Sequence, residues 1–315
     1  MRTAVLIPCY QEEKTIAEVV QQFRAYLPDA DVYVFDNNSS DRTVEEAIRG
    51  GAIVFHERRQ GKGNVVRSMF RRVDADIYVM VDGDGTYPAD VVANLVDPVR
   101  KGEADMVIGS RLHHESSSQF RFLNRFGNHI FLLLLNSMFR VRLTDLLSGY
   151  RVFSQRLVRS LALFGGGFET EAEMTIKTLE RGFSIVEVPV NLSHRPEGSH
   201  SKIRIVHDSL LILRTMMTLF RDYRPLTFFG VLGLVLIALS LVPGIWVFID
   251  YYESGYVHRI PSAVLAVGLV LTGMLSICVG LILHTISRRF QELEFQLTTF
   301  SEDVRQERRM KKEKS

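Results

Sequence analysis

At 315 residues the chain is long enough for one large or two ordinary domains, so core size does not limit the fold. A formal net charge of only +2 argues against a dedicated nucleic-acid binder, which needs a basic surface field. The two cysteines, Cys9 and Cys278, fall in parts of the chain of different character, one inside a long apolar run, so no disulfide is expected.

The opening "MRTAVLIPCY" passes straight into a strand pattern, with no signal-peptide layout ahead of it. "TAVLIP", "DVYVFD", "AIVFHE", "IYVMVD" and "DMVIGS" are rich in Val and Ile and bounded by polar residues or glycine, which predicts five strands. Helical patterns fall between them at residues 12–27, 42–49, 62–73 and 89–101. Strands apolar on both faces that alternate with helices predict an α/β fold, a mainly parallel sheet covered on both sides. In such sheets ligands gather at the carboxyl ends of the strands. Pro8, Tyr10 and Glu12 follow the first strand, and Asp36, Asn37 and Asn38 the second. Gly61, Lys62 and Gly63 open a helix after the third, Asp82 and Asp84 end the fourth, and Ser110 and Arg111 end the fifth. Any one set has an ordinary explanation, "DNNSSDRT" being a good turn and helix cap, but five sets on one edge predict a binding site.

Further along, "FRFLNRFGNHIFLLLLNSMFRV" (120–141) mixes arginine with dense apolar sequence broken by Asn128, His129 and Asn136, which predicts an interfacial helix, with a core helix as the alternative. "GFETEAEM" sets Glu169, Glu171 and Glu173 together; they share one face on a strand, whereas Glu169 and Glu173 lie one turn apart on a helix. Acids opening a helix are the ordinary alternative. His194, His200 and His207 lack zinc spacing. In "IRIVHDSLLILRTMMTLFRDYR", Ile203, Val206, Leu210, Leu213, Met217 and Phe220 make one apolar helical face, with Arg204, Arg214 and Arg221 available to headgroup phosphates.

Two uncharged apolar runs follow, residues 226–249 and 261–287, each meeting the roughly 20 residues a membrane span needs. Arg221 and Arg224 precede the first and Arg288 and Arg289 follow the second, while the loop between holds Asp250 and Glu253 against Arg259. That distribution predicts a multi-pass protein of the cell membrane with both termini cytoplasmic. Ile286, Phe290, Leu293, Leu297, Phe300 and Val304 then keep a heptad-like step, which predicts a homo-oligomer, and "RQERRMKKEKS" reads as a disordered basic tail near anionic lipid.

The stretch "YVMVDGDGTYP" ends a buried strand on two carboxylates separated by Gly83. Two adjacent buried acids repel each other and are costly alone, whereas one hard divalent cation, Mg²⁺ or Mn²⁺, shared with phosphate oxygens, satisfies both. A calcium-hand loop is ruled out because Pro88 interrupts it and no closing Glu follows. "RRQGKGNVV" lacks the frame of a nucleotide P-loop.

Taken in order, "IPCYQEE", "DNNSSDRT", "GKGNVVR", "VDGDGTYPAD", "DMVIGSR" and "TDLLSGYRVF" resemble the family 2 glycosyltransferases of GT-A fold, and within them the branch that uses polyprenyl phosphates, dolichol or undecaprenyl. The resemblance covers roughly residues 3–205, and the trailing pair of spans matches one subgroup's architecture. It implies a GT-A, Rossmann-like catalytic domain over residues 1–200, an interfacial amphipathic helix over 201–224, two transmembrane helices with a short outer loop over 225–287, and a cytoplasmic helix and tail over 288–315. By position, Pro8, Tyr10, Glu12 and Asp36 match residues holding the base and ribose, and Lys62 the segment beside the nucleotide. Asp82, Gly83 and Asp84 match the diphosphate and metal segment, the two acids being the metal ligands. Arg111 matches a residue near the phosphates of donor or acceptor. Related synthases often carry Gln two residues after the second acid; here Thr86 stands there, leaving the third metal ligand open.

The implied reaction is inverting transfer of a hexose from a UDP- or GDP-sugar to a membrane polyprenyl phosphate. Because that acceptor is already anionic, positioning matters more than a strong base. Two anionic phosphates must meet, so cations should bracket them; Arg111, Arg121, Arg125, Arg195 and Lys202 are the candidates, with Glu169 or Glu171 as a weak base. A processive polysaccharide synthase of the same fold is the rival, but its Q-x-x-R-W motif is absent, the sole tryptophan being Trp246. A non-catalytic membrane scaffold is the other, opposed by the intact Asp82, Asp84 and Lys62.

Overall fold

The structure, a computed structural model of the whole chain, describes residues 1–111, 132, 135–136, 139–164, 167, 170–192, 214, 217–218 and 220–313, with only the backbone given at 291 and 294–313. It divides into two units, Met1–Met216 and Met217–Ser315.

In the first unit seven strands form one sheet: β1 (Thr3–Cys9), β2 (Asp31–Asp36), β3 (Ile53–His56), β4 (Ile77–Met80), β5 (Met106–Arg111), β6 (Arg151–Ser154) and β7 (Ile185–Val190). The helices are α1 (Ile16–Tyr26), α2 (Thr43–Gly50), α3 (Lys62–Arg72), α4 (Val92–Arg100), α5 (Gln155–Ser160) and α6 (Thr170–Glu180). The strand order is β3-β2-β1-β4-β6-β5-β7, parallel throughout except for β6, which runs against both its neighbours. The expected α/β sandwich is what forms.

The period-two alternation of strands sorts side chains into two cores. Val5, Ile7, Val79 and Val107 pack on one face with Ile16, Val20 and Phe23 of α1 and Val92, Leu95 and Val96 of α4. Leu6, Met80, Ile108 and Phe153 pack on the other with Val65, Val66 and Met69 of α3, Leu157 of α5 and Met174 of α6. Phe23 is fully buried and meets Tyr150 edge-on at 6.0 Å, so truncating it to Ala should remove about 3–5 kcal/mol of stability. Helix α1 starts later than its pattern suggests because residues 12–15 form a turn in which the Thr15 and Ile16 amides donate to the Glu12 carbonyl. Strands β6 and β7 were not among the predicted five.

The second unit consists chiefly of α7 (Pro225–Ser254) and α8 (Ile260–Glu313). Both are long and apolar enough to span a membrane, and only 11% and 17% of their most apolar windows are buried, unlike core helices of a soluble protein. They approach closely where side chains vanish: a Cβ on Gly233 would lie 2.5 Å from the Gly273 carbonyl oxygen, and one on Gly273 would lie 2.7 Å from that of Gly233. The Ser276 hydroxyl donates to the Phe229 carbonyl at 2.9 Å beside this contact. Instead of ending in a disordered tail, α8 continues to Glu313, consistent with a segment rich in Glu, Gln, Lys and Arg and free of Pro and Gly. The interfacial readings at 120–141 and 201–224 lie mostly outside the described residues, although 214, 217–218 and 220–223 are helical.

Candidate active site

The topology explains why polar groups from distant sequence meet. Strands β1 to β5 are mutually parallel, so their carboxyl ends share one edge. Strand β6, wedged antiparallel between β4 and β5, brings its amino end to that edge instead. Its lead-in, residues 145–150, therefore lies beside the ends of β4 and β5.

At the end of β4, Asp82 Oδ1 accepts from Lys62 Nζ at 2.6 Å, and the same ammonium lies 2.6 Å from Glu171 Oε1 on α6. Lys62 sits in the first turn of α3, after Gly61, whose φ of 121° suits glycine alone and whose amide donates to Asn37 Oδ1 at 2.7 Å. Burial works against the Lys62 charge, but Asp82 and then Glu171 outweigh it and raise the ammonium above its ordinary value. Glu171 is 3% exposed and its Oε2 has no hydrogen-bond partner among the described residues. The other side of Asp82 rests on bare backbone, for a Cβ at Gly149 would lie 2.2 Å from Oδ2.

Asp84, nearly buried, accepts at Oδ1 from the Thr86 amide at 3.1 Å and the Thr86 hydroxyl at 2.7 Å. Thr86 thus orients the second acid. Between the acids, the Gly83 carbonyl accepts from the Thr15 hydroxyl at 2.7 Å, and a Cβ there would strike Cys9 Sγ at 2.7 Å. The donors are all hard oxygens, which fits Mg²⁺ or Mn²⁺. No cluster of three His, Cys, Asp or Glu is present among the described residues, so such an ion would complete its shell with phosphate oxygens and water.

At the end of β5, Arg111 forms a two-pronged bond with Asp145, Nε to Oδ2 at 2.6 Å and Nη2 to Oδ1 at 2.7 Å, while its amide donates to Oδ2 at 3.2 Å. Burial opposes the Asp145 charge, yet the bonds and charge of Arg111 hold the carboxyl below the usual range. The Ser148 hydroxyl donates to the Gly109 carbonyl at 2.6 Å and the Gly149 amide to the Tyr87 hydroxyl at 3.0 Å, fixing the lead-in.

On the β1–β2 side, Asp36 accepts weakly from the Ser39 amide and faces His56 Nδ1 at 3.3 Å. Asn37 and Asn38, grouped with the ligands by sequence, are spent on the main chain: Asn37 Nδ2 donates to the Glu57 and Arg59 carbonyls, and Asn38 Nδ2 to that of Arg58, each at 2.9 Å. They hold the 57–61 loop that delivers Lys62. Pro8 lies within β1 opposite Phe35, Tyr10 is exposed, and the Glu12 amide donates to the Thr43 hydroxyl at 2.8 Å.

The structure therefore brings Lys62, Asp82 and Glu171 together, places Asp84 beside them in the chain, and pairs Arg111 with Asp145. Glu171 opens a helix, which settles the strand-or-helix question, and Glu173 turns away to pair with Lys177 at 2.7 Å. Glu169, Arg121, Arg125, Arg195 and Lys202 lie outside the described residues. Asp145 and Gly149 were missed as site residues, although the "TDLLSGYRVF" motif contains both.

Residues 4–162 match the family described as glycosyl transferase family 2. This chain belongs to that family. The glycosyltransferase AglJ of Haloferax volcanii is 31% identical over 301 residues, covering 92% of this chain and 97% of the relative. The undecaprenyl-phosphate mannosyltransferase of Micrococcus luteus is 28% identical over 216 residues, 63% of this chain and 86% of that one. The glucosyl-3-phosphoglycerate synthase of Mycobacterium tuberculosis, solved with Mn²⁺ and UDP-glucose, aligns with a TM-score of 0.56 at 23% identity over 70% of this chain and 78% of its own, a likeness of fold. The glycosyltransferase is thus of GT-A-like architecture, with two C-terminal helices fit to span a membrane.

Proposed function

We propose that this glycosyltransferase moves a hexose, with inversion, from a nucleoside diphosphate sugar, preferentially UDP-linked, to the phosphate of a membrane polyprenol. One observation carries the reading. The acid pair at the end of β4 and the Arg111–Asp145 pair at the end of β5 stand on one sheet edge, joined by the β6 lead-in. The undecaprenyl-phosphate acceptor named for the Micrococcus luteus relative and the Mn²⁺ and UDP-glucose of the Mycobacterium tuberculosis structure support the acceptor, donor and metal classes.

In this reading Asp82 and Asp84 hold Mg²⁺ or Mn²⁺, which when bound neutralises charge developing on the departing diphosphate. Lys62, kept protonated by Asp82 and Glu171, supplies a second positive charge beside the leaving group without a proton having to move. Glu171, locked to Lys62 and buried, orients that ammonium and leaves the role of weak base to Glu169. Pro8, Tyr10, Glu12 and Asp36 would take the nucleoside. Arg111, braced by Asp145 on two nitrogens, presents its remaining edge to a phosphate. An acceptor phosphate oxygen forms the bond to the anomeric carbon as the bond to the diphosphate breaks. The acceptor is an anion at neutral pH, so no strong base is needed.

Helices α7 and α8 would cross the bilayer with Arg221, Arg224, Arg288 and Arg289 on the cytoplasmic side, keeping residues 1–200 where nucleotide sugars are made. The heptad stripe after residue 286 would join copies of the chain. Incubating the full-length protein in nanodiscs with polyprenyl phosphate and labelled nucleotide sugars tests the reaction. We expect lipid-linked sugar from at least one donor, and a drop of about a thousandfold or more in Asp82→Asn/Asp84→Asn with membrane insertion intact. Full transfer by that double variant, or none by the wild type from any donor, would overturn the reading.

A further inference from the structure

Arg151 is the largest fully buried side chain among the described residues and carries a charge that neither the acid pair nor the Arg111 pair uses. It is the first residue of β6, and the strand alternation that sends Tyr150 and Val152 to one core sends Arg151 and Phe153 to the other. There the guanidinium turns back on its own lead-in. Nε donates to the Ser148 carbonyl at 2.8 Å and Nη2 to the Leu146 carbonyl at 2.5 Å. Nη1 donates to the Thr175 hydroxyl on α6 at 2.8 Å and lies 3.7 Å from Met106 Sδ on β5.

One planar fork thereby spans the two segments that frame the site. The carbonyls it holds, of Leu146 and Ser148, lie between Asp145, which braces Arg111, and Gly149, on which Asp82 rests. The hydroxyl it holds is one helical turn beyond Glu171, which tethers Lys62, and the Thr175 hydroxyl itself also donates to the Glu171 carbonyl at 3.0 Å. We infer that Arg151 is a positioning residue for sugar transfer, fixing the β6 lead-in against α6 so that Asp82, Lys62 and Arg111 keep their relative places. A hydrophobic side chain of similar volume would fill the core as well. What it would lack is five donors in a fixed plane, which is also why lysine is no substitute.

The inference rests on the transferase reading, and its test separates the two. Full-length wild type, Arg151→Lys and Thr175→Val are compared in nanodiscs by amide hydrogen exchange and by steady-state transfer. In Arg151→Lys the amides of residues 145–150 should exchange roughly tenfold faster or more, as expected for lost hydrogen bonds, while those of β1 and β2 keep wild-type protection. Its kcat should fall about a hundredfold with donor KM little changed, the signature of misplaced rather than missing groups. Thr175→Val, which removes one acceptor, should shift both readouts the same way by a smaller factor. Unchanged exchange at 145–150, unchanged kcat, or exchange rising equally across the whole sheet would each overturn the inference. Should Arg151→Lys fail to fold, Thr175→Val decides on the same criteria. Should the wild type transfer no sugar, the functional reading falls, while the exchange data still judge whether Arg151 fixes the lead-in.

Discussion

The two units solve opposite burial problems. In the first, apolar side chains fill two cores while buried charges are met by partners: Lys62 between Asp82 and Glu171, Arg111 with Asp145, Lys177 with Glu173, and Arg151 with the Ser148 and Leu146 carbonyls and the Thr175 hydroxyl. In the second, the apolar side chains face outward, Leu234, Val242, Trp246 and Leu275 each being more than half exposed, and the helices meet through glycine. Buried charge is expensive unless matched, so the first unit should be fragile to loss of one partner and the second to added bulk. Trp246 is the only tryptophan, so its fluorescence reports on the second unit alone, and hydrogen exchange in β1 to β4 reports on the first.

The largest effect is expected at Lys62. Replacing it with Met leaves Asp82 and Glu171 facing each other without the cation, which should destabilise the first unit by about 3 kcal/mol. That is the lower end for a broken buried pair, because the Asp82 side chain keeps 29% exposure. Hydrogen exchange in β4 should show the loss while Trp246 fluorescence stays unchanged. Across pH the sign is fixed by the raised ammonium. Its stabilisation is complete below the unfolded value near 10.4 and fades only as pH rises through the higher folded value, so wild type should lose none of it near neutrality. Gly149→Ala comes next: its methyl would displace the Asp82 carboxylate, lowering transfer about a hundredfold, measured as kcat, with small change in stability. Asp145→Asn should cost about 2 kcal/mol at pH 7, the worth of charge-assisted bonds to Arg111. A carboxyl held below its ordinary value adds stability above the unfolded value of about 4 and loses it as pH falls through the folded one. The wild type should therefore lose protection at 145–150 between pH 4 and the lower folded value, and the variant should lack that acid limb.

What was legible in the sequence follows from range. Strands β1 to β5 and the acid pair declare themselves locally, as apolar runs that stop at polar residues, and their parallel order follows from the helices between them. Strand β6, "RVFS", has only two apolar residues between Arg151 and Ser154, so no apolar run announces it, and its antiparallel course is a property of topology. Asp145 acquires its role solely because that course sets it against Arg111, 34 residues earlier. Asn37 and Asn38 have the chemistry of ligands, and only the fold shows that the 57–61 loop consumes it. Glu171 was found by type but not by purpose, since its partner Lys62 is remote in sequence.

The second unit offers the smallest and most selective break. Gly273 and Gly233 abut through backbone oxygens, so Gly273→Leu must push α8 away from α7. Contacts between such helices in a membrane are worth about 1–2 kcal/mol, because lipid replaces the lost packing almost as well. The variant should therefore remain inserted and shift the thermal transition seen by Trp246 downward. Protection at residues 145–150 should stay at the wild-type level, because the charges there are matched within the first unit. If protection at 145–150 fell together with the Trp246 transition, the two units would be one cooperative body, and the contrast between paired charge and abutting glycine would no longer describe separate stabilities.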